Sequence, residues 1–124
     1  MKYEHISVAV AEDHAIYRTE LCAILRCIGF SIHTAAEHGA VLLAQLQQAA
    51  TLPHICLLDI NMPIMDGIAT AKAIRQQWTQ IKLIAHSMNA EPATIAAMLQ
   101  AGADAYIPKG NIIELRNKII ALCG

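Results

Sequence analysis

The chain has 124 residues, 56% of them hydrophobic, and a formal net charge of −1. That length suits one domain over residues 1–124 with a sizeable core and leaves no room for a second, and the near-neutral balance offers no basic footprint for direct contact with nucleic acid. Mean hydropathy is high at +0.41, yet polar residues cut every apolar stretch short of a membrane span and the run after Met1, Lys2, Tyr3, Glu4 and His5 is too brief for a secretory signal, so a soluble cytoplasmic protein is expected.

The first apolar run, Ile6 to Ala11, reads as a strand ended by Glu12 and Asp13. The helix behind it carries Leu21, Ile24, Leu25 and Ile28 at helical spacing and stops at Gly29. Ile32 to Ala35 is a shorter, more polar strand that suits a sheet edge; the next helix has Leu42, Leu46 and Ala49 on its inner stripe and ends before Pro53. Ile55, Cys56, Leu57 and Leu58 are wholly apolar, as in a central strand buried on both faces. Asp59 closes that run and is expected to be pushed out where the loop begins. Asn61, Met62, Pro63 and Met65 follow, and Asp66 caps a helix with Ala71, Ile74 and Trp78 inward. The fourth strand, Ile81 to His86, leads through Ser87 and Asn89 to a helix starting near Pro92, with Ile95, Met98, Leu99 and Gly102 inward. A strand near Ala105 to Pro108 and a helix with Ile112, Leu115, Ile119 and Leu122 complete the series.

Strands alternating strictly with helices demand right-handed crossovers and a parallel sheet covered on both sides. The fold class is therefore α/β, a (βα)5 three-layer sandwich whose five-stranded parallel sheet runs 2-1-3-4-5, the flavodoxin-like arrangement. The cysteines Cys22, Cys27, Cys56 and Cys123 lack zinc spacing and are expected as reduced core thiols. The histidines show no ligand spacing either, and only His14 and His86 are placed to support the strand-end acids.

Ligands of open α/β sheets bind outside the carboxyl ends of the strands. Asp59 ends the third strand and Glu12 and Asp13 the first, so three carboxylates should meet at one sheet edge, and such a cluster wants a cation. One strand-end acid is ordinary capping or loop solvation; three, joined by Lys109 after the fifth strand, need another account.

Glu12 and Asp13, Asp59 with Met62, Pro63 and Gly67, Ser87, and Tyr106 with Lys109 together resemble the receiver domain of bacterial two-component response regulators, from Ile6 to the last helix. A member of that family is itself a standard example of the 2-1-3-4-5 order. Glu12, Asp13, His14 to Arg18 and the pair Ser87, Met88 look most like the subfamily that usually carries a helix-turn-helix effector domain. The resemblance implies that Asp59 accepts a phosphoryl group from a sensor histidine kinase or a phosphotransfer protein with Mg²⁺ as cofactor; since Mg²⁺ prefers six oxygens and keeps some waters, Asp13, Asp59 and the backbone carbonyl of Asn61 would suffice to hold it, with Glu12 acting through water. It implies that Lys109 and Ser87 contact phosphoryl oxygens and that Tyr106 moves inward on activation. Output would lie on the face of the fourth helix, fifth strand and fifth helix, through a homodimer or through DNA bound by a linked effector. Such a chain is a signalling switch that assists its own phosphorylation and dephosphorylation, not an enzyme acting on an outside substrate.

Taken alone, Lys109 equally fits a surface lysine, Ser87 a loop hydroxyl capping the next helix, and Tyr106 a partly buried aromatic with a wet hydroxyl. Two departures stand out. The family commonly has a cis-bonded proline after the lysine; here Pro108 precedes Lys109 and Gly110 follows, so a trans bond is expected, since a non-proline cis bond costs about 3 kcal/mol. Met88 is larger than the residue many receivers carry there and would restrict access to Asp59, and Asn61 and Asn89 flank the same route. The rival reading is an aspartyl-phosphate hydrolase of haloacid-dehalogenase type. Those enzymes resemble an Asp-x-Asp pattern after the first strand, whereas Asp59 is on the third and position 61 is Asn. A nucleotide or flavin binder would need a glycine-rich phosphate loop, and none follows any strand.

Overall fold

The computed structural model describes residues 3–124; Met1 and Lys2, which open the N-terminal segment considered above, lie outside them. All ten expected elements form: β1 (Ser7–Ala11), α1 (Ala15–Ile28), β2 (Ser31–Ala36), α2 (Gly39–Gln48), β3 (Ile55–Leu58), α3 (Gly67–Gln77), β4 (Lys82–Ser87), α4 (Pro92–Gln100), β5 (Ala105–Pro108) and α5 (Ile112–Cys123). The strands pair in parallel in the order β2-β1-β3-β4-β5.

Strand alternation divides the interior into two cores. Val8, Val10, Ile55, Leu57, Ile84 and Ile107 pack with Leu21 and Leu25 of α1 and Leu115 and Ile119 of α5. Ala9, Ala11, Cys56, Leu58, Leu83 and Ala85 pack on the other side with Leu42, Ile74 and Met98. Central β3 feeds both cores and is buried throughout, which explains its unbroken apolar run, while edge strand β2 is largely half-exposed. Helix ends follow the sequence signals. The Asp66 carboxylate accepts the Ala69 N–H at 2.9 Å, and Gly29, at φ 121°, returns its N–H to Leu25 and Arg26 carbonyls.

Several inward assignments shift. Ile24 is 38% exposed and lines an open groove of about 390 Å³ between α1 and α5, while Cys22 supplies the core contact in its place. Leu99 is 43% exposed, because α4 buries Met98 alone against the sheet. Trp78 is the half-buried C-cap of α3, packed on the rim of its core, and Ala49 caps α2 from just beyond the helix. Cys27 is exposed and Cys123 half-buried, so only Cys22 and Cys56 are core thiols; burial pushes the Cys56 thiol up to about 12. Among the described residues no peptide bond is cis, Ile64 is the one non-glycine residue with positive φ, at 66°, and no helix is long and apolar enough to cross a membrane.

Strand register sets the functional edge. Ala11 pairs with Leu58, and the Asp59 N–H donates to the Ala11 carbonyl at 3.0 Å, so Glu12 and Asp59 leave the sheet side by side. Ser87 pairs with Pro108, and the Lys109 N–H donates to the Ser87 carbonyl at 3.1 Å.

Candidate functional site

Asp59, expected to be pushed out by its position, is only 6% exposed and Glu12 only 2%. The reason is Lys109, whose Nζ lies 2.8 Å from Glu12 Oε1 and 3.1 Å from Asp59 Oδ2, an ammonium able to sustain two buried carboxylates. Burial alone would lower the Lys109 ammonium, but the hydrogen bonds and charges of Glu12 and Asp59 more than offset it and hold the group above its ordinary value. Burial raises the Glu12 carboxyl further than its hydrogen bonds with Lys109 and the His14 N–H bring it down, and the Asp59 charge adds to the rise. Glu12 Oε2 accepts that His14 N–H at 3.0 Å, while the Glu12 carbonyl accepts from Arg18 Nη1 at 2.6 Å.

Asp13 is exposed, and one oxygen each from Glu12, Asp13 and Asp59 fall within 4.8 Å of one another. An all-oxygen donor set with this charge fits a hard divalent cation such as Mg²⁺. The start of α3 presses against this point: a Cβ on Gly67 would collide with the Asp59 carbonyl oxygen and lie 2.8 Å from Ile60 Cα, so only glycine fits.

On the β4 side, Ser87 is 1% exposed and its Oγ accepts the Asn89 N–H at 3.2 Å, the loop-capping arrangement. Asn89 Nδ2 donates to Asn61 Oδ1 at 3.1 Å, which clasps the loops after β3 and β4 together. The Tyr106 hydroxyl donates to the Asn89 carbonyl at 2.8 Å with the Ser87 carbonyl at 3.2 Å, and its half-buried ring packs on the α2–α3–α4 core. Met88 is 78% exposed and lines, with His14, Tyr17, Lys109 and Gly110, a recess of about 350 Å³ beside the acids.

The structure thus brings Glu12, Asp13, Asp59 and Lys109 into one cluster, with Asn61, Ser87 and Tyr106 joined through the loop holding Asn89. His14 caps α1, its Nδ1 accepting the Tyr17 N–H at 3.3 Å. Sequence reasoning passed over Tyr17, whose hydroxyl meets His86 and whose ring faces Lys109, both far away along the chain.

Compared with known proteins, residues 8–120 match the family described as the response regulator receiver domain. The chain belongs to that family. This receiver domain is 33% identical over 107 residues to the probable transcriptional regulatory protein NarL of Mycobacterium tuberculosis, covering 86% of this chain and 49% of that protein. It is 30% identical to the chemotaxis protein CheY of Bacillus subtilis, covering 91% and 96% respectively. Among solved structures, a DNA-binding response regulator of the LuxR family from Staphylococcus aureus superposes with a TM-score of 0.82 at 25% identity, covering 92% of this chain and 98% of that one. The receiver domain spans about half the length of the NarL relatives it matches.

Proposed function

We propose that this receiver domain accepts a phosphoryl group on Asp59 from the phosphohistidine of a sensor histidine kinase or phosphotransfer protein, and so switches partner binding. The observation that carries the reading is Lys109 Nζ held by both Asp59 and Glu12 beside a third converging carboxylate, Asp13. Asp13, Asp59 and the Asn61 carbonyl, with Glu12 through water, would hold Mg²⁺, which when bound supplies neutralising charge for the equatorial phosphoryl oxygens. An Asp59 carboxylate oxygen forms the bond to phosphorus as the bond from phosphorus to the donor imidazole breaks. Lys109 carries a fixed positive charge to the phosphoryl oxygens and the Ser87 hydroxyl donates to one of them. Tyr106, bonded to the loop that follows Ser87, would feel any displacement there and pass it to α4, β5 and α5.

We place the domain in the cytoplasm, with output through a homodimer on the α4–β5–α5 face or through DNA bound by a linked effector. The transcriptional relative NarL and the DNA-binding LuxR-family structure support the second route. Dephosphorylation would be assisted by the domain itself, with Asn61 and Asn89 beside the path of the attacking water. Intact mass after treatment with acetyl phosphate and Mg²⁺ tests the assignment: one phosphoryl addition is expected, absent in Asp59→Asn and in EDTA. A phosphoryl gain by Asp59→Asn, or unchanged labelling in EDTA, would refute it.

A further inference from the structure

Behind Lys109 lie two side chains with no part in the chemistry above. His86 is 2% exposed, and both ring nitrogens are engaged: Nδ1 stands 2.9 Å from the Ile107 carbonyl oxygen and Nε2 2.6 Å from the Tyr17 hydroxyl. A carbonyl oxygen can only accept, so Nδ1 carries the ring proton; in the neutral ring Nε2 is then an acceptor, and the Tyr17 O–H donates to it. Burial favours that neutral ring, pulling His86 below its ordinary value against the opposing Ile107 hydrogen bond; of the nearby charges, Lys109 lowers it and Asp59 raises it. A phenol has one proton to give. With it committed to His86, the Tyr17 ring is fixed in orientation between α1 and β4.

The face of that ring is turned to Lys109, whose Nζ stands 4.8 Å from the ring centroid. An ammonium has three N–H donors. Two directions go to Glu12 and Asp59, and the aromatic face takes another. A ring face attracts a cation without imposing the narrow angle of a hydrogen bond, so it can keep the ammonium in the site while allowing it to turn between oxygens. Phosphoryl transfer asks for that freedom, because negative charge passes from the Asp59 oxygens to those on phosphorus and Lys109 must follow it. Donation of the phenol proton to His86 also leaves the oxygen richer in electrons, which strengthens the ring face.

We propose that Tyr17, oriented by His86, is a positioning residue for Lys109 during phosphoryl transfer, an inference that rests on Asp59 being the phosphoacceptor. The test is a double-mutant cycle on the full chain, with acetyl phosphate saturation kinetics and Mg²⁺ titration for wild type, Tyr17→Phe, Tyr17→Leu, Lys109→Ala and the Tyr17→Leu, Lys109→Ala pair. Loss of the ring should cut the maximal labelling rate about tenfold, and loss of the hydroxyl alone about threefold, with Mg²⁺ affinity unchanged. On the Lys109→Ala background the same changes should have no effect, whereas a merely structural role would slow both backgrounds alike. Nitrogen NMR should place the His86 proton on Nδ1, and the ring-current shift of the Lys109 side chain should vanish in Tyr17→Leu.

Equal slowing on both backgrounds, full-rate Tyr17→Leu, or a neutral His86 protonated on Nε2 would overturn the positioning role while leaving Asp59 as acceptor. Absence of labelling in wild type, with the NMR signatures intact, would instead remove the acceptor reading and the role with it. Should Tyr17→Leu fail to fold, Tyr17→Phe on both backgrounds carries the same cycle.

Discussion

Lys109 is one cation among three carboxylates, so removing it should affect metal binding and chemistry in opposite directions. Lys109→Ala leaves the acid cluster more negative and should bind Mg²⁺ at least as tightly as wild type, yet label with acetyl phosphate about 100-fold more slowly through loss of a fixed charge at the phosphoryl oxygens. Magnesium titration beside labelling kinetics checks this; parallel losses in both would contradict it. His86 gives a pH signature. Its folded value lies below the ordinary 6.5, so between the two values the unfolded chain binds more protons. Its contribution to stability is present above the unfolded value and is lost as pH falls from about 6.5 through the folded one. Urea melts of wild type and His86→Leu across that window should show a steeper decline in wild type.

At the scale of elements, two connections hold testable energy. Ile64, in the loop between β3 and α3, is β-branched at φ 66° and 84% exposed, so it bears left-handed strain with little burial in return. Ile64→Asn should raise stability by about 1 kcal/mol, read as a higher urea midpoint with unchanged slope. Arg75 near the end of α3 does the reverse, tying three segments together. Its guanidinium donates to the carbonyls of Thr79 at 3.1 Å, Ile81 at 2.8 Å and Gly102 at 2.7 Å, and it pairs with Asp104 at 3.5 Å. Arg75→Ala should cost about 2–3 kcal/mol, and Arg75→Lys should recover only part, because one ammonium cannot reproduce the planar fork. A loss below 0.5 kcal/mol would mean that solvent replaces these bonds.

For the whole molecule, the proposed switch predicts that beryllofluoride with Mg²⁺ shifts NMR signals from Pro92 to Leu122 and at Tyr106, and that Ser87→Ala weakens this spread. Shifts confined to the loops around Asp59 would argue for another route. The central place of β3 was readable because it has no polar residue to expose, and the acids because strand ends are where the chain leaves the sheet, whereas Lys109 taken alone fitted a surface lysine and was singled out by the family resemblance. Helical spacing marked a buried side of α1 but not its limits, so Ile24 and Cys22 exchanged roles at the edge of the stripe. The Tyr17–His86 bond joins residues 69 positions apart, a pairing that no local pattern encodes. Cys27 and Trp78 have a practical consequence as well. The first is the exposed thiol among otherwise buried or half-buried cysteines, the second is the chain's single tryptophan, and they stand in opposite helical layers. An acceptor dye on Cys27 would therefore turn the native sequence into an energy-transfer ruler across the sandwich, able to register swelling between the layers before the sheet itself comes apart.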